Sequence, residues 1–350
     1  MNIEKNIQSL LYKISSEINV IKSPKRLFGL YEDACQLVVY ARAMNLNIKI
    51  PPKILEYYNN WFYDILPDKF KNNYFNFIIN SIFENEKTDK ILDTVAENIF
   101  YNYNCETILG KSLIFTKEET IKLALKFFEY YDKNMYKHAK KMLDNGHIHF
   151  TSKNNVSDEE YAVITGITCT AYSQSDSFIL VGGKKDITFV ATIIHEIIHS
   201  YVDSLNYNMT FDQRMNEMTN CLYEVITYFS ASAFRHYLQE IYYDKNTIDF
   251  LESNTCNIFL MAMGSFLELS SSDFDEFECI ASSAYGNLLA FHYFDKYLID
   301  SEKTKDDILN TTLASKDYKK PYILDNYGLS LDELKETNIL EKRLNKNYRY

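Results

Sequence analysis

The chain lacks the features that mark disulfide-rich, zinc-ribbon and nucleic-acid-binding proteins. Its six cysteines are widely scattered, with no CxxC pair and no spacing typical of a disulfide framework or a structural zinc site. We expect most of them to be buried as small hydrophobic side chains. Lysine and arginine form no block dense enough to contact a phosphate backbone, and the net charge is −11. Nucleic acid is therefore not an expected partner.

Long apolar runs are also missing. The longest stretches, such as residues 258–269, are shorter than the ~20 residues that a helix needs to cross a bilayer. Residues 1–6 lead into an amphipathic helix and not into the apolar segment of a signal peptide. These absences predict a cytoplasmic protein without a membrane partner.

The composition is that of a folded protein with a large core. Of 350 residues, 46% are hydrophobic and 15% are aromatic, which is enough for two domains. Residues 1–145 read as consecutive helices, one of them over residues 70–82, because apolar residues recur at helical spacing between breakers such as Ser23-Pro24. Thr116 and Glu119 have capping-box spacing at the start of a long helix that ends at Asn145-Gly146. We place a domain boundary at that glycine, between residues 1–145 and 146–350.

Beyond the boundary the hydrophobic pattern changes period. Residues 147–150 alternate, residues 161–172 are rich in Val, Ile and Thr, and residues 178–181 are apolar and closed by two glycines, so three strands are predicted. Asp186 can cap the helix that follows, and further helices are predicted over residues 211–243, 248–269, 273–298 and 306–314 and from residue 330 onwards. The predicted fold is therefore α+β and mainly helical, with a helical N-terminal domain and a second domain that contains a small sheet.

The segment 192–201 contains His195-Glu196-x-x-His199 within an otherwise uncharged run. Helical residues four apart share a face, so the two histidines can offer nitrogens to one metal ion. Glu196 lies about 100° around the helix and can reach a water on that metal without becoming a ligand. Imidazole and carboxylate donors with an open fourth position favour zinc. The alternative is a core helix whose polar side chains are satisfied by hydrogen bonds, but burying Glu196 without a nearby cation would be costly.

Two histidines leave zinc undercoordinated, so a third ligand must come from elsewhere in the chain. Asp203 follows His199 by four residues, but a straight helix places it one turn beyond the metal, where it would orient His199 or cap the helix. Glu217 and Glu224 lie seven residues apart on the next predicted helix and share a face. They offer one ligand and one possible supporting carboxylate.

His147 and His149 form a further histidine pair, which we interpret as a surface feature.

The motif followed by a glutamate on the next helix resembles the gluzincin branch of zinc metallopeptidases, typified by thermolysin and the aminopeptidase and oligopeptidase families. In that group the third ligand lies roughly twenty residues past the second histidine, often as Asn-Glu. Glu217, preceded by Asn216, fits this best, whereas Glu224 fits the longer spacing of the oligopeptidase-like families. The resemblance covers residues about 146–300. Some bacterial zincin-like families look closer around the motif, in the apolar strand and the His-Ser-aromatic continuation.

The resemblance implies a zinc metallopeptidase, a hydrolase of peptide or protein substrates, with His195, His199 and Glu217 as metal ligands and Glu196 as general base. The strand 178–181 would be either an edge that receives an extended substrate or an ordinary core strand. Tyr285, or His292 seven residues later, is a candidate transition-state donor, although core packing also explains Tyr285.

The alternative function is a catalytically silent zincin-like protein that binds zinc or peptide as a regulator or scaffold. An intact Glu196 argues against it.

Overall fold

The structure is a computed structural model and describes residues 3–61, 114–150, 166–183, 185–214, 217–241, 243–251, 286, 289–290 and 293–317. It is mainly helical with one three-stranded sheet, as predicted. The chain forms two compact units: residues 1–70 together with 115–215, and residues 71–114 together with 216–350. The predicted boundary after residue 145 is a different division of the chain and stays a prediction.

The first unit contains most of the described helices. In chain order these are α1 (Ile3–Ile18), α2 (Pro24–Ala43), α3 (Pro52–Trp61), α4 (Lys117–Tyr131), α5 (Lys133–Asp144), α6 (Ile187–Leu205) and α7 (Phe211–Arg214). Helix α1 buries one apolar face, formed by Ile7, Leu11, Ile14 and Ile18. That spacing repeats every three to four residues, which is the period of an amphipathic helix.

The long helix predicted between Thr116 and Asn145 is interrupted. The capping box predicted at Thr116 and Glu119 is present and starts α4. At Asp132, however, the backbone is extended, with φ −158° and ψ 125°. The carboxylate of Asp132 accepts hydrogen bonds from the backbone amides of Asn134 and Met135. The single-helix prediction was wrong because an aspartate that caps a new helix competes with continuing the old one. Gly146 then ends α5 with φ +68°, where glycine is favoured.

The sheet consists of β1 (Ile148–Phe150), β2 (Gly166–Ala171) and β3 (Asp176–Val181), in the order β1-β3-β2. Strand β1 is parallel to β3, and β2 is antiparallel to it. The three predicted strands are thus confirmed within the described residues. Because β3 pairs on both sides, it is a core strand and its backbone groups are not open to an added strand.

Strand β2 packs against different helices on its two faces, because its side chains alternate between them. Ile167, Cys169 and Ala171 belong to one face and pack in the core formed with α1, α2 and α3, where Phe178 of β3 contacts Tyr40. Gly166, Thr168 and Thr170 belong to the opposite face, because successive strand residues point to opposite sides. That second face lies against α6, the helix that carries the histidine motif. The two cysteines whose side chains are described, Cys35 and Cys169, are buried as expected.

The second unit contains α8 (Glu217–Glu240), α9 (Ser301–Ala314) and helical residues at 289–290 and 293–297. Phe229 of α8 packs edge-to-face on Tyr297, with ring centroids 5.4 Å apart, and His236 contacts the same ring. The hydroxyl of Thr312 donates to the carbonyl oxygen of Leu222, which ties α9 to α8.

Several predicted elements concern residues without a described structure. The helix expected over 211–243 is present as α7 and α8, and residues 215–216 between them lie outside the described ones. The helix expected over 70–82, nearly all of the one over 248–269 and the C-terminal helix from residue 330 also lie outside them. In the described part of the chain, no α-helix combines the length and the apolar character that crossing a bilayer requires.

Candidate metal centre

Helix α6 holds the histidine motif in a fixed position. The carboxylate of Asp186 accepts a hydrogen bond from the Thr188 amide at 2.9 Å and so caps the helix where the sequence predicts. Four isoleucines that surround the motif are buried almost completely: Ile193, Ile194, Ile197 and Ile198. Because apolar side chains anchor the helix on several sides, its few polar groups are carried on a rigid element.

The imidazole rings of His195 and His199 converge at their Nε2 atoms. Their Nε2 atoms lie 3.0 Å apart, and the rings are inclined at 73° with centroids separated by 4.7 Å. A tetrahedral zinc ion with bonds of about 2.0–2.1 Å would hold two nitrogens about 3.3 Å apart, close to this separation. The same distance also suits a hydrogen bond between two neutral imidazoles. The distance between the two nitrogens therefore fits either a shared metal ion or a hydrogen bond. A third donor close to both rings would distinguish the metal site from the hydrogen bond.

The third candidate ligand comes from α8, the next long helix of the chain. Glu224 lies on this helix, and its side chain is half-buried. Two imidazoles and one carboxylate form the ligand set of a common class of catalytic zinc sites. The side chain of Glu217, the ligand that the spacing favoured, lies outside the described residues. The identity of the third ligand therefore stays a prediction.

Glu196 lies beside the histidines and is 6% exposed. The hydroxyl oxygen of Thr168 is 2.7 Å from Oε2 of Glu196 and 3.0 Å from its backbone carbonyl oxygen. Opposite Oε1, a Cβ atom at Gly166 would lie only 2.7 Å away, so the absence of a side chain there makes room for the carboxylate. The expected general base is therefore held against strand β2.

Sequence reasoning did not find Thr168 and Gly166. Their alternation along β2 is visible in the sequence and places both on one face together with Thr170. The sequence does not tell, however, which helix covers that face. Only the packing of α6 on the sheet identifies them as neighbours of the motif.

Asp203 is attached to the sheet through its side chain. Its two carboxylate oxygens accept hydrogen bonds of 2.5 Å from the hydroxyls of Thr170 and Tyr172. Its backbone carbonyl accepts a hydrogen bond from the amide of Asn206 at the end of α6. Burial raises the pKa of this carboxyl group, and the two hydroxyl hydrogen bonds oppose that shift. Asp203 thus ties α6 to the sheet.

The other candidate side chains are placed as follows. His147 is 4% exposed, and its Nδ1 lies 3.2 Å from a carboxylate oxygen of Asp176, so the surface position expected for it is wrong. The Nε2 atom of His149 lies 2.8 Å from the carbonyl oxygen of Gly146. Tyr285 and His292, the candidate transition-state donors, lie outside the described residues.

The chain is similar to known proteins in its fold and not in its sequence. No protein-family model matches the chain, and a search of curated proteins gives no match. Among solved structures, the chain is similar to a Bacillus anthracis str. Ames protein described as an oligoendopeptidase F, with a TM-score of 0.51 and 11% identity. A second structure described as an oligoendopeptidase F and a PZ peptidase A with an inhibitor give TM-scores of 0.43 and 0.40, each at 10% identity. The first of these similarities shows a shared fold.

The similarity extends over nearly the whole chain but not over the whole of the other proteins. The alignments cover 92%, 91% and 91% of this chain, in the order given above. They cover 62%, 64% and 66% of the other chains. The chain therefore spans somewhat less than two thirds of the length of the proteins whose fold it resembles.

Proposed function

We propose that this protein is a zinc-dependent peptidase whose metal ligands are His195, His199 and Glu224. The observation that carries the proposal is the convergence of the Nε2 atoms of His195 and His199, which lie 3.0 Å apart. A buried carboxylate, Glu196, directly follows His195 on the same helix. Glu224 is proposed as the third ligand because its spacing from the motif fits the oligopeptidase-like families. Three protein ligands that leave one coordination position open, with a separate carboxylate alongside, are typical of hydrolytic zinc sites.

Glu196 is the proposed general base. A zinc ion in such a site supplies Lewis-acid polarisation of a carbonyl group and lowers the pKa of water to about 7. Glu196 accepts the proton of the attacking water and then delivers it to the leaving amine, so that one carboxylate acts first as base and then as acid. Its burial removes competing water molecules, and the Thr168 hydroxyl at 2.7 Å limits the orientations that the carboxylate can adopt.

Peptide bonds are the proposed substrate. The support is the shared fold with the Bacillus anthracis protein described as an oligoendopeptidase F, a name that denotes an enzyme cleaving peptides. The donor set agrees with this chemistry, because hydrolysis of an amide needs an electrophile for the carbonyl group and a proton carrier for the amine.

The test compares zinc content and hydrolysis in three forms of the purified chain. Wild type is expected to bind one zinc ion and to cleave members of a broad library of quenched fluorescent peptides, and chelation should abolish cleavage. Glu196→Gln should bind zinc as wild type does and lose hydrolysis, since the amide cannot accept the proton. Glu56→Gln, an exposed position on α3, is the matched control and should keep both properties.

Two outcomes would contradict the proposal. Wild type that binds zinc stoichiometrically yet cleaves no peptide of the library would be a zinc-binding scaffold or regulator. Wild type that binds no zinc would leave the histidine pair as an ordinary hydrogen-bonded pair of a core helix.

A further inference from the structure

Strand β2 presents two residues to the general base from one side. Thr168 and Gly166 are two positions apart, so both face α6, and each meets a different oxygen of the same carboxylate. The Thr168 hydroxyl lies 2.7 Å from Oε2 of Glu196. The missing side chain of Gly166 leaves space for Oε1 and Cγ of Glu196 and for Cγ2 of Thr192, since a Cβ would lie 2.7, 2.9 and 2.7 Å from them.

We propose that Thr168 is a positioning residue for Glu196, and that Gly166 keeps open the pocket in which the carboxylate is held. The inference rests on the proposed function, in which Glu196 is the general base. The hydroxyl of Thr168 contacts the motif helix at Glu196, so its effect passes through that carboxylate. Hydrolysis needs this carboxylate in one orientation, and a displacement of about 1 Å is enough to slow catalysis.

The register of the sheet explains why this contact is precise. Thr168 pairs with Ile179 of the central strand, and its neighbour on the same face, Thr170, pairs with Ser177. The Thr170 hydroxyl is hydrogen-bonded to Asp203, which lies nearly two turns beyond Glu196 on α6. Two threonines of one strand therefore contact two carboxylates of one helix. This double attachment prevents the strand from sliding along α6, and Thr168 stays opposite Glu196.

A purely structural role for Thr168 makes a different prediction. Its hydroxyl oxygen is also 3.0 Å from the Glu196 carbonyl oxygen, so the contact could serve only to join the strand to the helix. In that case its removal would lower stability and would leave the turnover of the folded enzyme unchanged. A positioning role lowers kcat in enzyme that is folded and fully loaded with zinc.

The experiment uses the full chain loaded with zinc and a peptide that wild type cleaves. Thr168→Val removes the hydroxyl with little change in shape, and Thr168→Ser retains it. Gly166→Ala displaces the carboxylate while leaving the Thr168 hydroxyl in place. Thr120→Val is the matched control, because Thr120 is buried and its hydroxyl donates only to a carbonyl oxygen, that of Thr116.

We expect Thr168→Val and Gly166→Ala to lower kcat by about 10- to 100-fold, the usual effect of losing an outer contact at a metal site. KM and zinc affinity should stay within about twofold of wild type, since neither variant removes a metal ligand. Thr168→Ser should restore kcat to near the wild-type value, and Thr120→Val should not lower it. A Thr168→Val enzyme with wild-type kcat would overturn the proposal.

A second readout is independent of activity. Crystal structures of zinc-loaded wild type and Thr168→Val should show the Glu196 carboxylate beside residue 168 in wild type and displaced in the variant. An unmoved carboxylate would overturn the positioning role whether or not the protein cleaves peptides. If wild type is inactive, or if Glu196→Gln keeps full activity, the proposed function fails, and the two structures still decide the position of the carboxylate.

Discussion

Nε2 of His138 lies 3.0 Å from the hydroxyl oxygen of Ser200, the residue that directly follows the second histidine of the motif. This contact joins α5 to α6 inside the first unit. Burial and the nearby charge of Lys141 lower the pKa of His138 to about 4. The imidazole is therefore neutral in the folded protein at pH values at which it is already protonated in the unfolded chain.

The first prediction concerns the pH dependence of stability. A histidine with a lowered pKa stabilises the fold fully above its unfolded value of about 6.5, and this contribution is lost as the pH falls towards 4. We expect wild type to lose up to about 2 kcal/mol between pH 7 and pH 5 from this group, in addition to other titrations. Urea unfolding of wild type and His138→Gln at both pH values measures the difference. Identical pH dependence in both proteins would contradict it.

The second prediction separates the two candidate third ligands. Glu224→Gln should lower zinc affinity by more than the about 10- to 100-fold typical of outer-shell changes, because it removes a charged donor. Glu217→Gln should leave the affinity nearly unchanged. Competition with a fluorescent zinc chelator measures both. The reverse pattern would assign the ligand to Glu217, as the sequence spacing favoured.

The third prediction concerns the attachment of Asp203 to the sheet. Tyr172→Phe removes one of the two hydroxyl groups that satisfy this buried carboxylate, so the free energy of unfolding should fall by about 1–3 kcal/mol. Tyr12→Phe, at an exposed position on α1, is the matched control and should change stability by less than about 0.5 kcal/mol. Chemical denaturation measures both. Equal effects of the two variants would show that the hydrogen bond to Asp203 contributes nothing.

The fourth prediction concerns the close approach of Gly286 to α8. A Cβ there would lie 2.7 Å from Cβ of Glu224 and 3.0 Å from its carbonyl carbon, so Gly286→Ala forces the backbone to move. We expect a loss of about 1–3 kcal/mol in stability and weaker zinc binding, because the proposed ligand shifts. Gly146→Ala is the control: its φ of +68° imposes strain, but no atom lies within 4 Å of the added group. It should lower stability without changing zinc affinity. Unchanged zinc affinity in Gly286→Ala would separate this contact from the metal site.

The sequence alone was sufficient wherever the cause is local. The four-residue spacing of His195 and His199 places both rings on one side of α6, because the helix period depends only on the backbone. The capping residues Thr116 and Asp186 start their helices as predicted, since a cap is formed with amides two or three positions away. The three strands were also readable from short runs of β-branched and apolar residues. The break at Asp132 also has a local cause, but the long helix predicted from Thr116 to Asn145 ran through this residue.

What the tertiary structure decided is which distant groups meet. Glu217 and Glu224 are seven residues apart on one predicted helix, and no local rule distinguishes them, so the choice between them stays a prediction. Strand β3 could have been an edge or a core strand until its pairing with both neighbours was known. The contact of Thr168 with Glu196 depends on the packing of β2 on α6. Residues separated by many positions in the chain are brought together by docking of whole elements, and the period of each element does not contain that information.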